Sequence, residues 1–263
     1  MPRLLFVLLL CWSAASAPAA PASFQDSMAQ RTLACTTCHG KEGRAGPDGY
    51  YPRIAGKPAG YLYNQLLNFR EGRRHYGLMA GLLETLSDDY LWEIAVHFAR
   101  QDAPYPAPQA ATAPADVLQR GRDLALQGDP ERRLPACASC HGATLTGVEP
   151  NTPGLLGLSR DYLNAQLGAW RTGQRRALAP DCMAEIARRL SPDDLSAVTA
   201  WLAAEAVPRN AKPAPAATAA APAAAATRRK GRKAAPVAPV AQAPAPPPMR
   251  CGAAQPPLAG AAR

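Results

Sequence analysis

Two short stretches hold the side chains with distinctive chemistry: Cys35-Thr36-Thr37-Cys38-His39 and Cys137-Ala138-Ser139-Cys140-His141. Two cysteines three positions apart share one turn of helix, so both thiols can add to the vinyl groups of a single porphyrin. The histidine that follows then stands under the iron as an axial ligand. This C-x-x-C-H spacing is the signature of covalent c-type haem attachment. Both copies continue with glycine, Gly40 and Gly142, and each is followed about forty residues later by a methionine, Met79 and Met183. A zinc site made from two C-x-x-C pairs is the main rival. The pairs stand about a hundred residues apart, however, against the short intervals of zinc ribbons. A thioredoxin-like dithiol needs a βαβ setting, and no alternating apolar run predicts a sheet. Neither rival accounts for the paired histidines.

The motifs belong to an internal repeat. Pro52-Arg53-Ile54-Ala55-Gly56 recurs as Pro153-Gly154-Leu155-Leu156-Gly157, Tyr61-Leu62 as Tyr162-Leu163, Gln65 as Gln166 and Arg70 as Arg171. Gly72-Arg73-Arg74 recurs as Gly173-Gln174-Arg175, Met79 as Met183 and Leu86-Ser87 as Leu190-Ser191. A lone methionine is ordinarily core filler. Equivalent placement in both copies, seven residues ahead of Leu-Ser, points instead to Met79 and Met183 as the sixth iron ligands. A thioether favours ferrous iron, so His/Met ligation raises the potential and fills both axial positions. Iron closed in this way keeps no place for oxygen or substrate, and outer-sphere electron transfer is the chemistry that remains. His75, four residues before Met79, has no counterpart in the second copy and is expected on a loop surface. His97 aligns with Trp201 and is expected to pack within a helix.

The elements that must position these residues read as helical. A short helix over 26–38 runs into the first motif. Residues 40–58, rich in Gly and Pro, form a loop. Tyr61, Leu62, Leu66 and Phe69 make a helical stripe over Gly60 to Glu71. Ser87 caps a further helix, with Asp88 and Asp89 in its first turn and Leu91, Ile94, Ala95 and Phe98 on its apolar face. In the second copy the helices run from Ala115 or Asp116 to about Gln127, over Asp161 to Arg171, and from Ser191, with Pro192 at the first position. Leu195, Val198, Trp201 and Leu202 face inward, and Asp129 to Pro135 is an extra loop. The predicted fold class is therefore all-α: two tandem modules, each organised around one haem. The haem supplies apolar bulk that a module of roughly 85–90 residues otherwise lacks. The expected boundaries are 1–20 for a signal peptide, 21–103 and 116–206 for the modules, 104–115 for a Pro-rich linker and 207–263 for a tail.

Residues 1–20 have the form of a cleaved secretory signal: Arg3, the apolar run Leu4 to Trp12, then Ala15-Ser16-Ala17. The apolar core is too short to span a bilayer. Residues 207–263 are Ala/Pro-rich and cannot bury enough apolar surface to offset the entropy of ordering, so disorder is expected there. The formal charge of +9 resides in this tail. Residues 21–206 carry 19 Lys and Arg against 20 Asp and Glu, whereas the tail carries nine basic residues and no acid. The basic balance thus makes no folded nucleic-acid-binding face. The tail is a solvated spacer, or a basic tether for membrane, cell wall or an acidic partner. Of seven cysteines, Cys11 falls in the signal and four in the motifs. Cys182 is expected as a small buried apolar group and Cys251 as a free thiol, with a disulfide between them the less favoured alternative.

A ligating histidine usually donates its other ring N–H to a carbonyl. Pro52 and Pro153, thirteen and twelve residues after the histidines, offer that acceptor or are simply turn prolines. Arg70, Arg74, Arg171 and Arg175 either reach haem propionates or line solvated helix faces. Together these residues resemble class I cytochromes c, and the duplication resembles the dihaem cytochrome c4 family over about residues 26–206. The resemblance rests on Cys35, Cys38, His39 and Met79 for one haem and on Cys137, Cys140, His141 and Met183 for the other. The Pro-x-Ile/Leu-x-Gly segments, the Tyr-Leu-x-x-Gln-Leu helices and the Leu-Ser helix openings also match. It implies two covalently bound haem c groups in cytochrome c folds that face each other through their propionate edges. It further implies an electron carrier in the periplasm, not an enzyme, with redox protein partners: a donor such as a quinol–cytochrome c reductase and an acceptor such as a terminal oxidase. The alternatives are the haem-bearing subunit of a periplasmic dehydrogenase and, against both methionines, a dihaem peroxidase. The departures are His97, where the family usually has an aromatic, Cys182 beside Met183, and the long basic tail; none removes a ligand.

Overall fold

The computed structural model describes residues 26–216 and 250–257. The first module contains α1 (Met28–Arg31), α2 (Leu33–His39), α3 (Ala59–Arg70), α4 (Gly77–Leu83) and α5 (Asp88–Ala99). The second contains α6 (Ala115–Leu126), α7 (Cys137–His141), α8 (Arg160–Thr172), α9 (Cys182–Arg189) and α10 (Pro192–Ala204). The all-α reading holds, with one small addition. β1 (Gly147–Val148) and β2 (Thr152–Pro153) form a two-residue antiparallel ladder, too short to leave an alternating pattern.

Local chemistry sets the helix ends. The hydroxyls of Ser87, Ser159 and Ser191 accept from the N–H groups of Tyr90, Tyr162 and Asp194, and each opens its helix as an N-cap. The single helix expected over 26–38 is broken in two at Thr32. The buried Thr32 hydroxyl donates to the Met28 carbonyl at 2.6 Å, a local bond that competes with the helix ladder. Helices α4 and α9, around Met79 and Met183, were not expected from the sequence. Each is only seven or eight residues long, and α4 carries two glycines that weaken its helical signal.

In the first module α3 packs on α5 through Leu62, Leu67, Leu91, Ile94 and Phe98. In the second, α6, α8 and α10 enclose Leu124, Leu163, Leu167, Val198, Trp201 and Leu202. Each such side chain contributes roughly 1.5–3 kcal/mol when fully buried. Gly121 lets α6 approach α10: a Cβ there would lie 2.2 Å from the Ala197 carbonyl oxygen. The loop expected at Asp129 to Pro135 includes a short 3-10 turn, Pro130–Arg132. Both Arg132 and Arg120 reach the buried carboxylate of Asp194, at 2.6 and 2.9 Å, and so tie this loop and α6 to the start of α10.

Two stretches of the tail depart from the expectation of disorder. The Ala214 N–H donates to Gly147 (2.9 Å) and its carbonyl accepts from Glu149 (2.8 Å), which extends the small ladder at its edge. Cys251 forms a disulfide with Cys182, with Cα atoms 5.5 Å apart; it is not a free thiol. An open strand edge and a distant thiol supply partners that Ala/Pro composition does not reveal. Residues 1–25, with the signal-like segment, and tail residues 217–249 and 258–263 lie outside the described residues. Among the described residues no helix is long and apolar enough to cross a membrane.

Candidate functional site

Helix α2 ends at His39 and α7 at His141, and both imidazoles are buried. The chain turns away at once through Gly40, at φ 72°, where a Cβ would lie 2.4 Å from the Ala45 carbonyl oxygen. Gly142 does the same at φ 86°. Only glycine takes such backbone without strain. The following loop folds back, with Ile54 and Ala55 donating to Gly43 (2.9 and 3.0 Å) and, in the second copy, Leu155 donating to Leu145 (2.8 Å). That return places the Pro52 carbonyl 2.9 Å from His39 Nδ1 and the Pro153 carbonyl 2.7 Å from His141 Nδ1. A carbonyl oxygen can only accept, so each Nδ1 carries the proton and each Nε2 keeps its lone pair for a metal. Burial pushes both imidazoles below the ordinary histidine value, opposed by the proline carbonyls and aided by the charges of Arg74 and Lys57. This favours the neutral form, the one able to ligate a metal.

Cys35, Cys38, Cys137 and Cys140 are not in disulfides. Cys35 and Met79 pack against the first core, and Cys137 and Met183 against the second. The fold thus brings each attachment segment and its methionine onto one apolar cluster. Burial pushes the Cys137 thiol up to about 11 and raises Cys35 as well. Zinc ligation and dithiol redox chemistry need the opposite, a stabilised thiolate. Among the described residues no three of His, Cys, Asp and Glu gather as a metal-holding group. His75 is exposed, and His97 lies edge-on to Phe98 on α5, ring centroids 5.1 Å apart, as expected of helix packing.

The four arginines separate by burial. Arg70 donates to the Leu86 carbonyl and to Asp88, tying α3 to α5, and Arg171 is exposed. Arg74 and Arg175 are 9% and 5% exposed and lie at the boundary between the modules. Their acceptors are neutral: Gln65, Gln166 and the Tyr162 hydroxyl. They stack on Phe69 and Trp170, 4.4 and 3.8 Å from the ring centroids. Buried guanidinium groups without carboxylates are costly, and burial pushes Arg175 below its ordinary value. Trp170 Nε1 is buried nearby with no acceptor. Two cations lacking anions and one orphaned donor at a single boundary are the complement of carboxylates. The residues present therefore fit haem, through its propionates here and its iron at His39 and His141.

Sequence reasoning missed two buried cations. Arg53 donates to the carbonyls of Ala103 and Pro104 and stacks 3.8 Å from the Tyr105 ring centroid, pinning the linker to the loop that holds His39. Lys57 reaches across the boundary and donates to the Gly154 carbonyl at 2.6 Å, next to the Pro153 that holds His141. The only signal was asymmetry in the repeat, where Arg53 stands opposite Gly154 and Lys57 opposite Leu158.

Tandem helical modules, each with a C-x-x-C-H helix end, a neutral buried histidine and a methionine helix on the same core, define a dihaem c-type cytochrome. The cytochrome c family model matches residues 119–206. The chain is 37% identical over 190 residues to the thiosulfate dehydrogenase electron acceptor of Thiomonas intermedia, a match covering 71% of this chain and 85% of that one. It is 30% identical over 174 residues to cytochrome c4 of Pseudomonas aeruginosa, covering 65% and 84%. The solved thiosulfate dehydrogenase of Marichromatium purpuratum superposes with a TM-score of 0.58 at 35% identity, over 65% of this chain and 36% of that one. This chain therefore spans little more than a third of that protein. The chain belongs to the cytochrome c4 family of electron-transfer proteins, with two class I cytochrome c domains and two covalently bound haem c groups.

Proposed function

We propose that this chain is a periplasmic electron relay that accepts electrons from a thiosulfate-oxidising dehydrogenase and passes them onward, towards a terminal oxidase. Haem bound through Cys35 and Cys38, with His39 and Met79 as iron ligands, forms one station. Haem bound through Cys137 and Cys140, with His141 and Met183, forms the other. The domain spans are 21–103 and 116–206, joined by 104–115. Bound haem supplies a one-electron couple; the chain's own residues hold the iron closed, keep both imidazoles neutral and seat the two groups on one boundary.

The observation that carries the relay reading is the shared boundary at Arg74 and Arg175, where the anion-seeking sides of both sites meet. The identity of the donor is supported by the T. intermedia relative, whose name is electron acceptor for thiosulfate dehydrogenase. A second reading, a stable haem subunit of such a dehydrogenase, is favoured by the partial match to the M. purpuratum enzyme.

Stopped-flow mixing with a purified thiosulfate dehydrogenase tests the donor. Haem reduction is expected only when enzyme and thiosulfate are both present, and no reduction would exclude this donor. Co-elution in size exclusion at micromolar concentration would favour the subunit reading; separate elution favours the relay. Met79→Ala and Met183→Ala are each expected to open one haem, and one only, to carbon monoxide. Unchanged resistance in either variant would remove that ligand assignment.

A further inference from the structure

Residues 250–257 lie against the approach to the helix that carries Met183, and we propose that they form a strap that positions the second haem's sixth ligand. The proposal rests on the assignment of Met183 as a ligand. The strap is fastened at both ends. At one end Cys251 is bonded to Cys182, the first residue of α9 and the neighbour of Met183. One residue on, the Gly252 N–H donates to the Pro180 carbonyl at 2.9 Å. A Cβ on Gly252 would lie 2.4 Å from the carbonyl oxygens of both Leu178 and Ala179, so the strap backbone rests directly on the loop entering α9. At the other end the Ala254 N–H donates to Asn64 Oδ1 on α3 at 2.7 Å, and Ala254 packs against the first module's core. The strap therefore runs from the Met183 helix of one module to α3 of the other.

Besides the strap, α9 is held by packing of Met183, Ile186 and Ala187 against the second core and by a bond from Arg189 to the Arg133 carbonyl; its other restraints are local. Asp181 caps it, accepting from Ala184 at 3.0 Å, and its ion pairs join Glu185 to Arg188 and Arg189 on its own surface. Exposed pairs of this kind contribute little. A cross-link from 69 residues away adds a covalent restraint at the N-terminus of a short, frayable helix. Among the described residues the first module has no such device. Leu78 stands where Cys182 does, beside Met79, and is 62% exposed. Opening of the methionine segment is thus held back by the strap at the second haem and by no strap at the first.

The test uses the full-length holoprotein as wild type, Cys251→Ala, Cys182→Ala/Cys251→Ala, Asn64→Ala and Met183→Ala. Imidazole displacement of methionine from ferric haem and amide hydrogen exchange are measured on each. Cys251→Ala is expected to speed displacement at the second haem and exchange over 182–189 by about tenfold, because local opening sets both rates. Residues 77–83 and the first haem should not change. The double cysteine variant should match the single one; an effect confined to the single variant would trace to the released Cys182 thiol and overturn the strap. Asn64→Ala, which frees the far anchor and touches no cysteine, should shift both readouts the same way by a smaller factor. If Met183→Ala abolishes the iron–methionine absorption of one haem while Cys251→Ala alters neither readout, the strap fails and the ligand stands. If Met183→Ala leaves that absorption intact, the ligand assignment fails first.

Discussion

Arg74 and Arg175 meet across the module boundary as a backbone bridge, and their side chains share the same two glutamines. Arg74 donates to Gln65 at 3.0 Å and to Gln166 at 2.6 Å, while Arg175 donates to Gln166 at 2.8 Å and to Gln65 at 2.9 Å. Each module thus supplies one arginine and one glutamine to a two-fold arrangement. The flanking backbone follows suit, with His75 donating to Gln174 (2.9 Å) and Arg176 donating to Arg73 (2.6 Å). Two buried like charges share half-buried acceptors that are all neutral, an arrangement that makes sense once anionic groups come to the boundary.

Arg74→Gln and Arg175→Gln should each lower the midpoint potential of a haem, because removing a nearby cation favours ferric iron. A charge at haem distance in a protein interior is worth about 1 kcal/mol, or roughly 40 mV for one electron. Arg→Lys keeps the charge and loses the planar fork, so it should shift the potential less while still weakening the boundary. Spectroelectrochemical titration reads both effects. Potentials unmoved by either glutamine substitution would detach these arginines from the haems.

Acid stability should depend on Asp194. Burial works to raise its pKa, but hydrogen bonds from Arg132, Arg120 and Ser191 together outweigh it and hold the group at about 2, against an ordinary 3.8. The carboxylate therefore stabilises the fold fully above pH ~4, and that contribution, roughly 2 kcal/mol, disappears as pH falls through 2. Asp194→Asn should remove it at neutral pH and flatten the dependence between pH 4 and 2. Denaturant midpoints across that range provide the measurement.

Lys57 should act in the opposite range. Burial, with Arg53 adding repulsion, lowers its pKa to about 7 from an ordinary 10.5. Below pH 7 both folded and unfolded chains carry the proton and the burial cost is complete. Between 7 and 10.5 only the unfolded chain holds it, so stability rises with pH across that window. Lys57→Met should abolish the rise and stabilise the fold at pH 6 by about 1–2 kcal/mol, even with the Gly154 carbonyl left unpaired. Chemical denaturation at pH 6, 8 and 9.5 would show whether the slope belongs to this residue.

The features legible in the sequence are those whose cause is local. Cys35 to His39 and Cys137 to His141 announce their chemistry within a single turn of helix. Ser87 and Ser191 cap the helices they were expected to cap, since a hydroxyl reaches an N–H three residues on. The carbonyls of Pro52 and Pro153 do accept from the two histidines, a reading that spacing left open with turn prolines. The short α4 and α9 leave no legible trace in the sequence, because seven or eight residues carry only a weak periodic signal. The break at Thr32 leaves none either, because one hydroxyl bond competed successfully with the helix ladder.

By itself, the sequence determined the number of haem sites, their duplication and the helical class, because these follow from side-chain type and short-range spacing. Only the tertiary structure decided which charges are buried. Of four candidate arginines, it sent Arg74 and Arg175 into the boundary and left Arg171 in solvent, although repeat alignment treats Arg70 and Arg171 as equals. It buried Lys57 against the loop that holds His141, and it joined Cys182 to Cys251 across 69 residues. Burial and cross-chain pairing depend on neighbours distant in sequence, so the contacts that make the two modules unequal exist only once the chain has folded.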